Sequence, residues 1–267
     1  MVASAHLKKL IACVAPLWAG ESEVVRSYWD SPVRSHENDL LWMRRQCSKE
    51  FNGKGIGEYR NLGVFMGPVT ELQDLFPEID AGIDRHYALG LIEMLHDEFE
   101  HYVLIADIYD AIRRPDEPPI NAQTLETWDE DVALTELRFK HMRDHGEIGK
   151  RASQFTEGGY CSLFREGMAL KGRGGADDMI ADAFARIFED EFGHMLSGII
   201  GLDDAGLGEE SWTLLGELAV AQMQHRIHMR NAQFGYPVSA ERIEAIFAGD
   251  ITPIEFDYEK AGDRVAA

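Results

Sequence analysis

Two stretches of this sequence carry residue types that could hold a metal ion. They are His96-Asp97-Glu98-Phe99-Glu100-His101 and Glu189-Asp190-Glu191-Phe192-Gly193-His194. Each contains a glutamate followed three residues later by a histidine. On a helix these positions share a face, so the carboxylate and the imidazole can converge on one ion. The pattern alone is weak, because 26 Glu and 10 His in 267 residues yield about one copy by chance. Glu93 and His96 fit that chance copy, on a solvated face with Glu100 and Asp107. Glu98 and His101 instead fall inside the apolar stripe Ile79, Ile83, Leu91, Met94, Ile105, Ile108 and Ile112. In the second stretch Ile180, Phe184, Ile187 and Phe188 lead directly into Glu191 and His194. Acidic groups on an inward stripe are costly to bury unless a metal or a partner neutralises them.

The elements that must position these residues are helices. Apolar residues recur at helical spacing, and alternating strand patterns with Asn-Gly or Asp-Gly turns are absent. Breakers at Pro77, Arg113–Pro119, Gly172–Gly175 and Gly206–Gly208 divide the chain into helical segments at about 34–76, 78–112, 130–171, 175–203 and 209–235. A short leading segment (4–30) and a piece near 239–248 flank them, and 249–267 reads as an extended tail. Gly53, Gly55 and Pro68 predict a kink or bulge in the first long segment. Short connections at 77 and 172–175 make two antiparallel hairpins, with 113–129 as the crossover. The expected fold is therefore all-α: one domain over 1–267, a four-helix bundle core at about 34–203, a fifth helix at about 209–235, and additional terminal helices. The halves repeat. At an offset of 99, Met43-Arg44 matches Met142-Arg143 and Glu58 matches Glu157. At an offset of 93, Asp97-Glu98-Phe99-x-His101 matches Asp190-Glu191-Phe192-x-His194.

The other two helices must each supply a carboxylate. Glu157 lies about as far before the 172–175 turn as Glu191 lies after it, so the hairpin pairs them. Glu166 is nearer the turn. The same mirror argument about Pro77 sets Glu58 near Glu98, with Glu71 and Glu37 as weaker candidates. The expected ligands are Glu58, Glu98, His101, Glu157, Glu191 and His194, a hard donor set suited to two divalent iron or manganese ions. Cys161 reads either as a lining of the active cavity or as a small core residue, and Gly158-Gly159 as a π-bulge or as plain helix. His225 and His228, below Leu214, Leu218 and Ala221, read as pocket-lining or ligating groups, or as edge histidines.

This doubled Asp-Glu-x-x-His pattern with two lone glutamates resembles the ferritin-like di-iron carboxylate superfamily, in particular its oxygen-activating hydroxylases, over about 34–203. The resemblance implies a ferritin-like bundle, two iron ions as cofactor, O2 and a small organic molecule as reactants, and a homodimer. It implies an outer-shell role for Asp97 and Asp190 in orienting metal-bound histidines. Three positions depart from known branches. Cys161 stands where multicomponent hydroxylases have a threonine. Ile105 stands where ribonucleotide reductase subunits have a radical tyrosine, with Tyr102 close but differently placed. Ile187 stands where di-iron N-oxygenases add a histidine.

Composition bounds the partners. With 26 Lys+Arg against 47 Asp+Glu and a net charge of −21, the chain has no basic footprint for nucleic acid or an anionic membrane. No run approaches the roughly 20 apolar residues of a membrane span. Three scattered cysteines point to a reducing cytoplasm and no disulfide scaffold. A reductase or ferredoxin is the expected electron donor, and the negative charge would steer a basic partner. The sequence reading is an O2-activating di-iron oxygenase or oxidase. The same donors would also serve iron oxidation and storage, or peroxide removal in the manner of rubrerythrins and manganese catalases. A metal-free helical protein is the third reading.

Overall fold

The computed structural model describes residues 3–32, 34–52, 65–81, 84–122, 125 and 127–258. Among them are nine α-helices and no strand, so the fold is all-α. In chain order the helices are α1 (Ala5–Trp29), α2 (His36–Asn52), α3 (Met66–Leu75), α4 (Arg85–Ile112), α5 (Asp129–Thr156), α6 (Ser162–Met168), α7 (Gly175–Ile200), α8 (Glu209–Gln233) and α9 (Ala240–Phe247). Side-chain caps start three of them. Ser4, Asp84 and Ser239 accept hydrogen bonds from the backbone N–H of Leu7, His86 and Arg242. Among the described residues, no helix is long and apolar enough to cross a membrane.

The chain divides into two compact units, His36–Trp128 and the combination of Met1–Ser35 with Asp129–Ala267. In the unit His36–Trp128, α2 and α3 pack on α4. Leu72, Ala88 and Leu91 form a small core, with Leu75, Ile79 and Leu95 packed against it. Farther along α4, His101, Ile105, Ile108 and Tyr109 are buried. Of the inward stripe expected here, Leu91, Ile105 and Ile108 are buried and Ile112 half-buried, whereas Met94 is 41% exposed and Ile83 lies outside the described residues. Glu93 and His96 are exposed, as their face predicts.

In the other unit, α8 packs against both α5 and α1, α6 packs on α7, and α9 packs on α1. The fifth helix of the sequence reading is therefore a central element, and so is the leading segment. Their contact buries charge. Glu21 of α1 is fully buried, with the Nε atoms of Arg226 and Arg230 on α8 each 3.0 Å from its carboxylate. Burial alone would push the Glu21 carboxyl up, but the two guanidiniums overcome that and hold it below its ordinary value.

The expected continuous helix at 130–171 is broken twice. At Gly146, φ of 53° and ψ of −125° bend α5. After Thr156 the chain leaves the helix through Gly158, Gly159 and Cys161, with φ of 65°, 61° and 49°. Gly159 is required there both by its left-handed backbone and by space, since a Cβ would lie 2.4 Å from Oε2 of Glu21. The glycine pair thus makes a full turn seated on the buried ion cluster, in place of a π-bulge or plain helix. In chain order α2 and α3 precede α4, and α5 and α6 precede α7.

Candidate metal centre

The motif glutamate and histidine of α4 acquire a third partner from α2. Glu50, Glu98 and His101 each offer a ligand atom, and these lie within 4.8 Å of one another. The local cause is helical phase. Leu40, Met43 and Cys47 form the buried stripe of α2, and Glu50 is the next position along it, 7% exposed. On α4, Glu98 and His101 are one turn apart on the face that continues into buried Ile105. His101 is fully buried and Glu98 half-buried. Gln46, one turn before Glu50, donates its amide N–H to Oε1 of Glu50 and so fixes that carboxylate. Burial, with the charge of Glu50 beside it, pushes the Cys47 thiol well above its ordinary value. Tyr102 is half-buried, and burial together with Cys47 and Asp110 raises its phenol. Phe99 is about half exposed, its ring centroid 5.8 Å from that of Tyr102.

Two carboxylates and one imidazole at this spacing could hold a metal ion. The burial of Glu50 supports the fit, since a buried carboxylate needs a neutralising group. Glu58, the carboxylate expected from the first helix, lies outside the described residues. Glu50 was missed because the repeat does not mark it: at an offset of 99 it falls opposite Gly149. Its signal was the stripe Leu40, Met43, Cys47, Glu50.

The second motif copy lies on α7 of the other unit. Ile180, Phe184 and Ile187 are fully buried, and Glu191 follows on the same face, half-buried. Its Oε2 would be 3.5 Å from a Cβ at Gly158, and its charge acts on the thiol of Cys161. Cys161 is buried at the head of α6 in a left-handed conformation, and burial first, then Glu191, raises its thiol. This turn and the second motif glutamate are therefore neighbours. The backbone of His194 belongs to α7, and its side chain lies outside the described residues. Phe192 stacks on Phe188 and meets Tyr160 edge-on.

Glu157, the other lone carboxylate of the sequence reading, is exposed just past the end of α5. Its position follows from the helix break, which the repeat-based reading did not include. Asp97 pairs with its neighbour His96 at 3.3 Å, and Asp190 with Arg186 at 2.8 Å. His225 and His228 are exposed on α8, and His228 meets Phe247 of α9 edge-on. Exposure sets both on the surface of their unit, in keeping with the reading of edge histidines. Comparison with protein-family models, curated proteins and solved structures found no match.

Proposed function

We propose that this chain is a non-haem oxidoreductase that holds a pair of divalent metal ions, iron in the first instance, and uses O2 to oxidise a small organic molecule. The observation that carries the reading is the convergence of Glu50, Glu98 and His101. The sequence doubling supports a pair: Glu191 and His194 repeat Glu98 and His101, and we read them as ligands of the second ion. The ferritin-like arrangement that the motif implies is part of the same proposal. Bound there, the metal pair would supply electrons and Lewis acidity for O2 reduction.

The chain's own contribution is positioning and exclusion of water. Gln46 holds Glu50 in the orientation a ligand needs, and outer partners of this kind sustain metal affinity. Ile105, fully buried one turn beyond His101, gives the site an apolar wall. Insertion of one oxygen atom into substrate with release of water needs two further electrons, for which a reductase or ferredoxin is the proposed donor.

The test is metal content after anaerobic loading with equal Fe(II) and Mn(II), in the wild type and in Glu50→Ala, Glu98→Ala and Glu191→Ala. About two irons per chain, lost in the variants, are expected from the donor set. O2 uptake that depends on an added organic substrate would support the oxygenase reading. Uptake driven by iron alone would favour iron handling, and selective manganese binding would favour peroxide removal. Absence of metal in all four proteins would overturn the proposal.

A further inference from the structure

The unit built on α1 and α8 carries a cavity of about 770 Å³ between α1, α6, α9 and the segment that follows α9. Three arginines line it, Arg26, Arg165 and Arg242, in a chain of net charge −21. The guanidinium of Arg165 lies over the Tyr160 ring, 5.1 Å from its centroid. Its Nη2 is 3.3 Å from both Ser22 Oγ and Glu166 Oε1. Arg242 is gripped by the two oxygens of Glu23 at 2.7 and 2.8 Å and reaches Asp250 at 3.2 Å. Arg26 stands 3.6 Å from Glu166, beyond hydrogen-bond length, with 55% of its side chain exposed.

Arg26 and Arg165 share the single carboxylate of Glu166, and Arg26 also acts on Glu23. Arg242 faces both Glu23 and Asp250. A guanidinium pair offers planar, forked donors that match a carboxylate or phosphate. Carboxylates opposite it suit hydroxyl or ammonium donors on the same ligand. The volume is that of a small-molecule site.

We propose that this cavity binds a small polar molecule bearing an oxyanion, with its carboxylate or phosphate group between Arg26 and Arg165 and its hydrogen-bond donors toward Glu23 and Asp250. The site is independent of the metal reading. Titration calorimetry on the full chain in chloride buffer, with inorganic phosphate and with malonate as probes, tests it. Saturable binding of at least one probe is expected, weakened about tenfold or more by Arg26→Gln and partly restored by Arg26→Lys. Lys9→Gln, the same charge change outside the cavity, should leave binding unaltered. Tighter phosphate binding would assign a phosphate ester, and tighter malonate binding a carboxylate. Failure of both probes to saturate, wild-type affinity in Arg26→Gln, or equal weakening by Lys9→Gln would each overturn the proposal.

Discussion

Glu50 and His101 come from different helices, α2 and α4, and their ligand atoms lie within 4.8 Å of each other. The pairing is set by the packing of α2 on α4, which brings the buried stripe of one helix against the motif face of the other. It predicts that Glu50→Ala removes bound metal as completely as Glu98→Ala. Gln46→Leu, which deletes the hydrogen bond to Glu50 while keeping the ligand, should lower metal affinity by about 10- to 100-fold. Competition with a chelator of known affinity measures both. Unchanged affinity in Glu50→Ala would remove α2 from the site.

The buried carboxylate of Glu21 should dominate the acid stability of its unit. Its value is lowered in the folded state, so its contribution is fully present above the ordinary carboxyl value of 4.5 and is lost as pH falls through the folded value. Glu21→Gln leaves Arg226 and Arg230 facing a neutral amide, at a cost of about 3–5 kcal/mol at neutral pH. Denaturant unfolding at pH 7 and pH 4 checks both parts: the variant should be less stable at pH 7 and should show a shallower loss toward pH 4.

Gly159 should tolerate no side chain. Alanine there meets the φ of 61° and a Cβ position 2.4 Å from Glu21 Oε2 and 2.9 Å from Arg226 Nε. The left-handed backbone alone costs about 1–2 kcal/mol, and displacement of the ion cluster adds to it. Gly90→Ala, within α4 and with nothing inside 4 Å, should instead stabilise by about 0.5–1 kcal/mol. Thermal unfolding of the two variants side by side should move in opposite directions.

His141 predicts a second, milder pH response. It is buried, and Gln222 Nε2 lies 3.0 Å from its Nδ1, while Thr156 donates to Oε1 of the same glutamine at 2.6 Å. Burial, then the neighbouring His145 and Lys140, lower its value, so folding favours the neutral ring. The stabilisation is complete above the ordinary histidine value of 6.5 and declines as pH falls below it toward the folded value. His141→Gln removes this titration. The melting temperature of the variant should vary less than that of the wild type between pH 7 and pH 5.

The sequence by itself determined that the chain is built of helices and which face of α4 and α7 turns inward. Both properties are local: proline and glycine punctuate the segments, and apolar residues at spacings of three and four mark a face. Glu98, His101 and Glu191 were legible for that reason. The tertiary structure decided what lies across from those faces. Glu50 carries no motif and no repeat mate, and it reaches the site because α2 packs on α4. Glu157 is exposed because the chain turns at Gly158 and Gly159, and at Gly159 the buried pairing of Glu21 with Arg226 leaves no room for a Cβ. That pairing joins residues about 200 positions apart, through α1 and α8, which periodicity ranked as peripheral. A helical face is a property of the segment that carries it, whereas register between helices depends on breaks and long-range contacts that no single segment encodes.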